Sequence, residues 1–284
     1  MSTTASIGDM FNRTEELISW LIEKGVTTAS FSRVSEYREL AKAFFDAKDP
    51  TSPDGLKLFI QLTDSIYEFI GLLQVKDAFE SETSNGFLDR LEKAHKGKTF
   101  YIDAKDGESR NFLFELLVAS FFAKKGYSIT FNDDSDVIAT KNENRLYIEC
   151  KKCYSIKKIE KNLRKAHSQL IQHKTKSDTN TVGIVAIDIS HIIREIMPLK
   201  EYENNLFAQL AINESFQSIG KQIKKYVYNC NDEFVDTTLA TIVHFSVIYW
   251  LENVSVFLFS HKQVTTANTI GNTEFAKLNY LLGE

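Results

Sequence analysis

The sequence predicts an α/β protein with an α-β-β-β-α-β core around a central mixed sheet, preceded by an all-helical region. Three observations carry this. Residues 1–98 place apolar side chains three and four apart with little alternation. Between 110 and 189 a helical period gives way to three short strand-like runs, a second helical period and a further apolar run. Beyond these lie another helical stretch and two strong strand patterns, which are expected to extend the same sheet.

The elements follow in order. Ser6 or Asp9 can cap a first helix with the stripe Phe11, Ile18, Leu21 and Ile22, stopped by Gly25. A second runs over about 32–47, ended by Asp49-Pro50 and Ser52-Pro53-Asp54-Gly55. A third, over 56–75, presents Phe59, Leu62, Ile66, Phe69, Ile70 and Leu73. A fourth covers 85–95. Residues 1–98 show no Gly-rich loop, metal-ligand cluster or repeat, so they read as a helical N-terminal module that packs on its neighbour or forms a dimer. Residues 99–284 read as the second domain, with a C-terminal sheet extension.

In that domain 99–103 reads as an edge strand. A nearly all-apolar helix over 110–124 ends at Gly126. Strands are expected at 127–131, 136–140 and 145–152, and the turn at 141–144 predicts that the last two form an antiparallel hairpin. A helix over 156–174 carries the stripe Ile156, Ile159, Leu163, Ala166 and Leu170. A strand at 181–189, a helix over 206–228 and strands at 241–249 and 254–260 complete the pattern. The last twenty or so residues carry no assignment.

Composition excludes several classes. Of 284 residues 43% are apolar and 25% charged, which suits an ordered globular chain. A net charge of −4 excludes a globally basic nucleic-acid binder but leaves local patches open. No apolar run approaches the roughly 18–20 residues that span a bilayer, and no signal pattern precedes the first helix. Three cysteines, an odd number, argue against a disulfide framework. The expected location is the cytoplasm, without membrane contact.

The chemistry concentrates between 110 and 176. Glu149 and Lys151 are two apart on a strand and share a face, while Leu146, Ile148 and Cys150 take the other. Asp136 opens the neighbouring strand, about 5 Å away, where its carboxylate can reach that of Glu149 and share a cation; it can equally just cap the strand. Glu115 is the only charge between Asn111 and Ala123 on the apolar helix, with Phe112, Ala119 and Phe122 around it. A buried carboxylate is costly unless paired or metal-bound, so it either joins the other acids or pairs with Arg110 or Lys124. Gln169 lies one residue off the stripe of its helix and can orient a water or donate to a phosphate. Residues 151–176 hold nine Lys or Arg against one acid, Glu160. Lys152, Lys157, Lys158, Lys161, Arg164 and Lys165 are therefore candidates for a phosphate-binding patch. Cys150-x-x-Cys153 lacks a convincing second pair of zinc ligands. The six histidines form no catalytic grouping, and Asp188 reads as a strand-face residue.

Taken together, Glu115 on a helix, Asp136, Glu149-Cys150-Lys151 and then Gln169 within Ala166-His167-Ser168-Gln169-Leu170 resemble the PD-(D/E)XK, or restriction-endonuclease-like, nuclease superfamily. The resemblance covers about 110–189. Its glutamine helix is similar to those of the Mrr-like, resolvase-like and RecB-like branches, and Ser135 stands where the family's name has proline. It implies a restriction-endonuclease-like core in which Asp136, Glu149 and the Cys150 carbonyl ligate Mg²⁺ or Mn²⁺. It also implies that Glu115 supports that site, Lys151 assists the attacking water and Gln169 assists catalysis. An all-oxygen ligand set independently favours Mg²⁺ or Mn²⁺ over zinc. The leading expectation is a metal-dependent DNA endonuclease acting on double-stranded DNA, with a homodimer as the default assembly. The rivals are a non-cleaving nucleic-acid-binding module of the same fold and a protein-interaction scaffold built on the N-terminal helices.

Overall fold

A computed structural model of the chain describes residues 7–27, 33–46, 53–96, 107–132, 135–174, 181–196, 201–234, 236–251 and 256–267. The strand expected at 99–103, the Asp133-Asp134 turn and the C-terminal tail lie outside them.

Four helices open the fold: α1 (Ile7–Glu23), α2 (Arg33–Phe45), α3 (Pro53–Phe79) and α4 (Asn85–His95). Gly25 ends α1 at φ 71°, a left-handed value that glycine adopts freely. α3 exceeds the expected 56–75 at both ends. Pro53 is tolerated in a first turn, and Val75 and Phe79 prolong the buried stripe.

The next elements are α5 (Glu108–Lys124), β1 (Ser128–Asn132), β2 (Ser135–Lys141), β3 (Asn144–Lys152), α6 (Ile156–Lys174) and β4 (Thr181–Asp188). Asn142, at φ 54°, turns β2 into β3, a conformation that asparagine accepts more readily than most residues. Two short elements were not expected: α7 (Ser190–Ile196) and β5 (Glu201–Tyr202). Both are too short to display a period. α8 (Asn205–Glu233) begins at Asn204, whose side chain accepts from Phe207 N at 3.1 Å. β6 (Thr238–Leu251) and β7 (Val256–Ala267) follow.

Among the described residues seven strands form one mixed sheet, ordered β1-β2-β3-β4-β6-β5, with β7 also on β6. β1–β2, β2–β3 and β6–β7 are antiparallel; β3–β4, β4–β6 and β5–β6 are parallel. The sheet is a middle layer. Leu146, Ile148 and Cys150 of β3 pack with α1–α5, whereas Tyr147 packs with α6, α7 and α8, as the two-residue period of a strand requires. The N-terminal helices and one sheet face therefore share a continuous apolar core. Phe87, Phe114 and Phe122 are fully buried in it, each contributing roughly 1.5–3 kcal/mol of transfer free energy. Among the described residues no helix is long and apolar enough to cross a membrane.

Candidate active site

The β2–β3 register pairs Val137 with Ile148, so one step further Asp136, at the start of β2, stands opposite Glu149. Lys151, two residues beyond Glu149, returns to the same face. Its Nζ lies 3.1 Å from Asp136 Oδ2, 3.1 Å from Glu149 Oε2 and 3.0 Å from the Cys150 carbonyl oxygen. Asp136 Oδ2 also accepts from Cys150 N at 2.7 Å. The ammonium thus sits among the three oxygens that the sequence singles out as cation ligands. Asp136, Glu149 and Lys151 converge.

Glu115 approaches from α5. Its helical neighbours are apolar and it is buried, but its partner is Arg90 of α4, with Nε 3.2 Å from Glu115 Oε2. Neither Arg110 nor Lys124 fills that role. Arg110 instead shares Glu68 with Arg33, at 2.7 and 2.9 Å, in a separate buried cluster. Arg90 also donates to the Asn132 carbonyl at 2.9 Å and the Ser135 carbonyl at 3.4 Å. Gly86 makes that approach possible: a Cβ there would meet the Phe131 carbonyl oxygen at 2.2 Å.

Electrostatics follow from crowding acids in partial burial. Burial, then repulsion from Asp136, raises the Glu115 carboxyl to about 8 against the pull of Arg90 and Lys151. The same two causes raise Glu149, with Lys151 and His173 opposing. Burial works against charge on Lys151, but Asp136 and Glu149 outweigh it and hold its pKa above the ordinary lysine value. The cluster carries more acid than its neighbouring cations balance.

This cluster borders a cleft of about 340 Å³. α4 contributes Asp89, Arg90 and Lys93, the strands contribute Asn132, Ser135, Asp136 and Glu149, and α6 contributes Gln169, Gln172 and His173. Gln169 is therefore at the site, and its Oε1 is buried with no hydrogen-bond partner among the described residues. His173, to which the sequence assigned no role, places Nε2 3.2 Å from Glu149 Oε1. Its position four residues after Gln169 was the available signal, since that spacing shares a helix face. Arg90 had no local signal.

The proposed phosphate patch divides. Lys157, Lys158, Lys161 and Lys165 are exposed on α6, outside the lining of the cleft. Arg164 is engaged by Glu160 at 3.1 Å and Glu233 at 2.6 Å. Lys152 is corrected: it is buried on the opposite face of β3, ion-paired with Asp188. A nucleic-acid backbone cannot reach it. Asp188 is likewise an interior residue, accepting from Ser190 N at 2.8 Å.

Cys150 and Cys153 are free and belong to opposite cores, so they do not form a joint zinc site. Among the described residues no group of three or more His, Cys, Asp or Glu is arranged to hold a metal ion. A magnesium-type site does not require one. Mg²⁺ uses one or two carboxylates and keeps several waters, and two carboxylates with a carbonyl already surround a cationic nitrogen here. The donor set fits a hard divalent cation. No protein-family model, curated protein or solved structure matches the chain.

Proposed function

We propose that the protein is a divalent-metal-dependent nuclease that hydrolyses phosphodiester bonds, foremost a DNA endonuclease, on a restriction-endonuclease-like core running from α5 to β4. The observation that carries this is the meeting of Asp136, Glu149, the Cys150 carbonyl and Lys151 where the start of β2 lies beside β3. A double-stranded substrate and a homodimer belong to the proposal through the resemblance alone.

Asp136, Glu149 and the Cys150 carbonyl would hold Mg²⁺ or Mn²⁺. When bound, the ion supplies Lewis acidity toward the phosphate and makes a water more acidic. Lys151 adds a fixed ammonium beside the reacting phosphate, where it favours developing negative charge. Arg90 keeps Glu115 in place behind these groups. Gln169 presents its amide to the cleft, where it can orient a water or a phosphate oxygen.

The test is cleavage of duplex and single-stranded DNA and of RNA with Mg²⁺ or Mn²⁺. Wild type should cut, and Asp136→Ala and Lys151→Ala should each lose at least about 10²- to 10³-fold, the scale of removing a transition-state electrostatic contact. Intact nucleic acid under all conditions, or equal cutting by the variants, rules the proposal out.

A further inference from the structure

Glu149 is held asymmetrically. Its Oε2 faces Lys151 Nζ at 3.1 Å, on the side shared with Asp136. Its Oε1 faces the other way, toward His173 Nε2 at 3.2 Å and Ser135 Oγ at 3.2 Å. The Ser135 hydroxyl has one proton and two further acceptors nearby, the Ile148 carbonyl at 3.1 Å and the Val137 carbonyl at 3.5 Å, so it supports Oε1 only part of the time. An ionised carboxylate only accepts. Where Glu149 is ionised, His173 Nε2 carries the hydrogen of this contact and is the firmer donor.

The ring of His173 is fixed by more than that bond. It stacks on Tyr147, with centroids 5.5 Å apart and planes 10° from parallel. The opposite nitrogen, Nδ1, is buried with no hydrogen-bond partner among the described residues. The contact to Glu149 is thus the one polar contact found for the ring there, and an aromatic shelf sets its direction.

We propose that His173 and Ser135 are positioning residues for the cation site: they hold Glu149 Oε1 so that Oε2 is presented beside Asp136. This rests on the cation site of the proposed nuclease. It also gives Ser135 a role that proline, lacking a hydroxyl, cannot fill.

The experiment is titration of the full chain with Mn²⁺ alone, followed by calorimetry or electron paramagnetic resonance, with no nucleic acid present. His173→Phe keeps a ring to stack on Tyr147 and removes the donor; His173→Gln keeps an N–H donor and removes the ring. H173F should bind Mn²⁺ about 10- to 100-fold more weakly, the usual cost of losing a partner behind a metal ligand, and H173Q should bind as wild type does. Ser135→Ala should weaken binding less, in the same direction, and reads the same quantity if H173F does not fold. Wild-type affinity in both H173F and S135A overturns the inference. So does an equal loss in H173F and H173Q, which assigns the ring to packing. If wild type binds no Mn²⁺, or Asp136→Ala binds it unchanged, the cation site itself is refuted, and the two failures are distinct.

Discussion

Lys151 and Lys152 are consecutive on β3, yet they point to opposite layers and meet opposite imbalances of charge. Lys151 lies beside the cleft, held by Asp136 and Glu149, with the Arg90–Glu115 pair next to them. Lys152 faces the interior, where it pairs with Asp188 close to a second cluster in which Arg33 and Arg110 share Glu68. Acid is in excess where solvent can enter, and base is in excess where it cannot. A sealed pair is complete in itself. A crowded acidic cluster beside an open cleft is suited to taking up a further cation.

The contrast is broken most directly by deleting one acid from each side. Asp188→Ala leaves Lys152 buried without its partner and should cost about 3–5 kcal/mol, read as a shift of the urea unfolding midpoint. Asp136→Ala removes the part-exposed acid that crowds both Glu115 and Glu149 and should change stability by no more than about 1 kcal/mol. Equal losses would erase the distinction between the two clusters.

Acid should attack the interior. Burial lowers His95 and His244 to about 4, the first beside Arg33 and the second beside Lys152, and lowers His167 to about 4 as well. The unfolded chain takes up protons near pH 6.5 that the folded chain refuses. The stability these three histidines contribute is therefore complete above about pH 6.5 and is lost as pH falls toward 4. Urea midpoints at neutral pH and near pH 4.5 check this, and an unchanged midpoint contradicts it.

The smallest expected effect concerns the outer face of α6. If Lys157, Lys158, Lys161 or Lys165 touches phosphate, replacing it by alanine should lower the slope of log affinity against log salt by about 0.9 on duplex DNA. An unchanged slope for all four would move the substrate's track to the α4 side of the cleft, where Arg90 and Lys93 lie.

Much of this was legible in the sequence because local patterns carry it. The stripe of α6 matches 156–174 throughout, and the turn after Lys141 fixes the hairpin that brings Asp136 opposite Glu149. The apolar neighbours of Glu115 announced its burial. What escaped depends on tertiary packing. Lys152 alternates with Lys151 and looks like one more solvent-facing lysine, but helices also cover its face of β3, so only the Lys151 side of the strand's end borders the open cleft. Arg90 reaches Glu115 from a different helix, and nothing in its own surroundings indicates that contact. α7 and β5 are shorter than any period that would reveal them.

Arg90 belongs to α4, yet its guanidinium neutralises Glu115 and satisfies two carbonyls at the corner between β1 and β2. A fragment beginning at residue 99 would leave that glutamate stranded and those acceptors bare. The leading helices must therefore travel with the sheet in any graft, fusion or trimmed version of this protein.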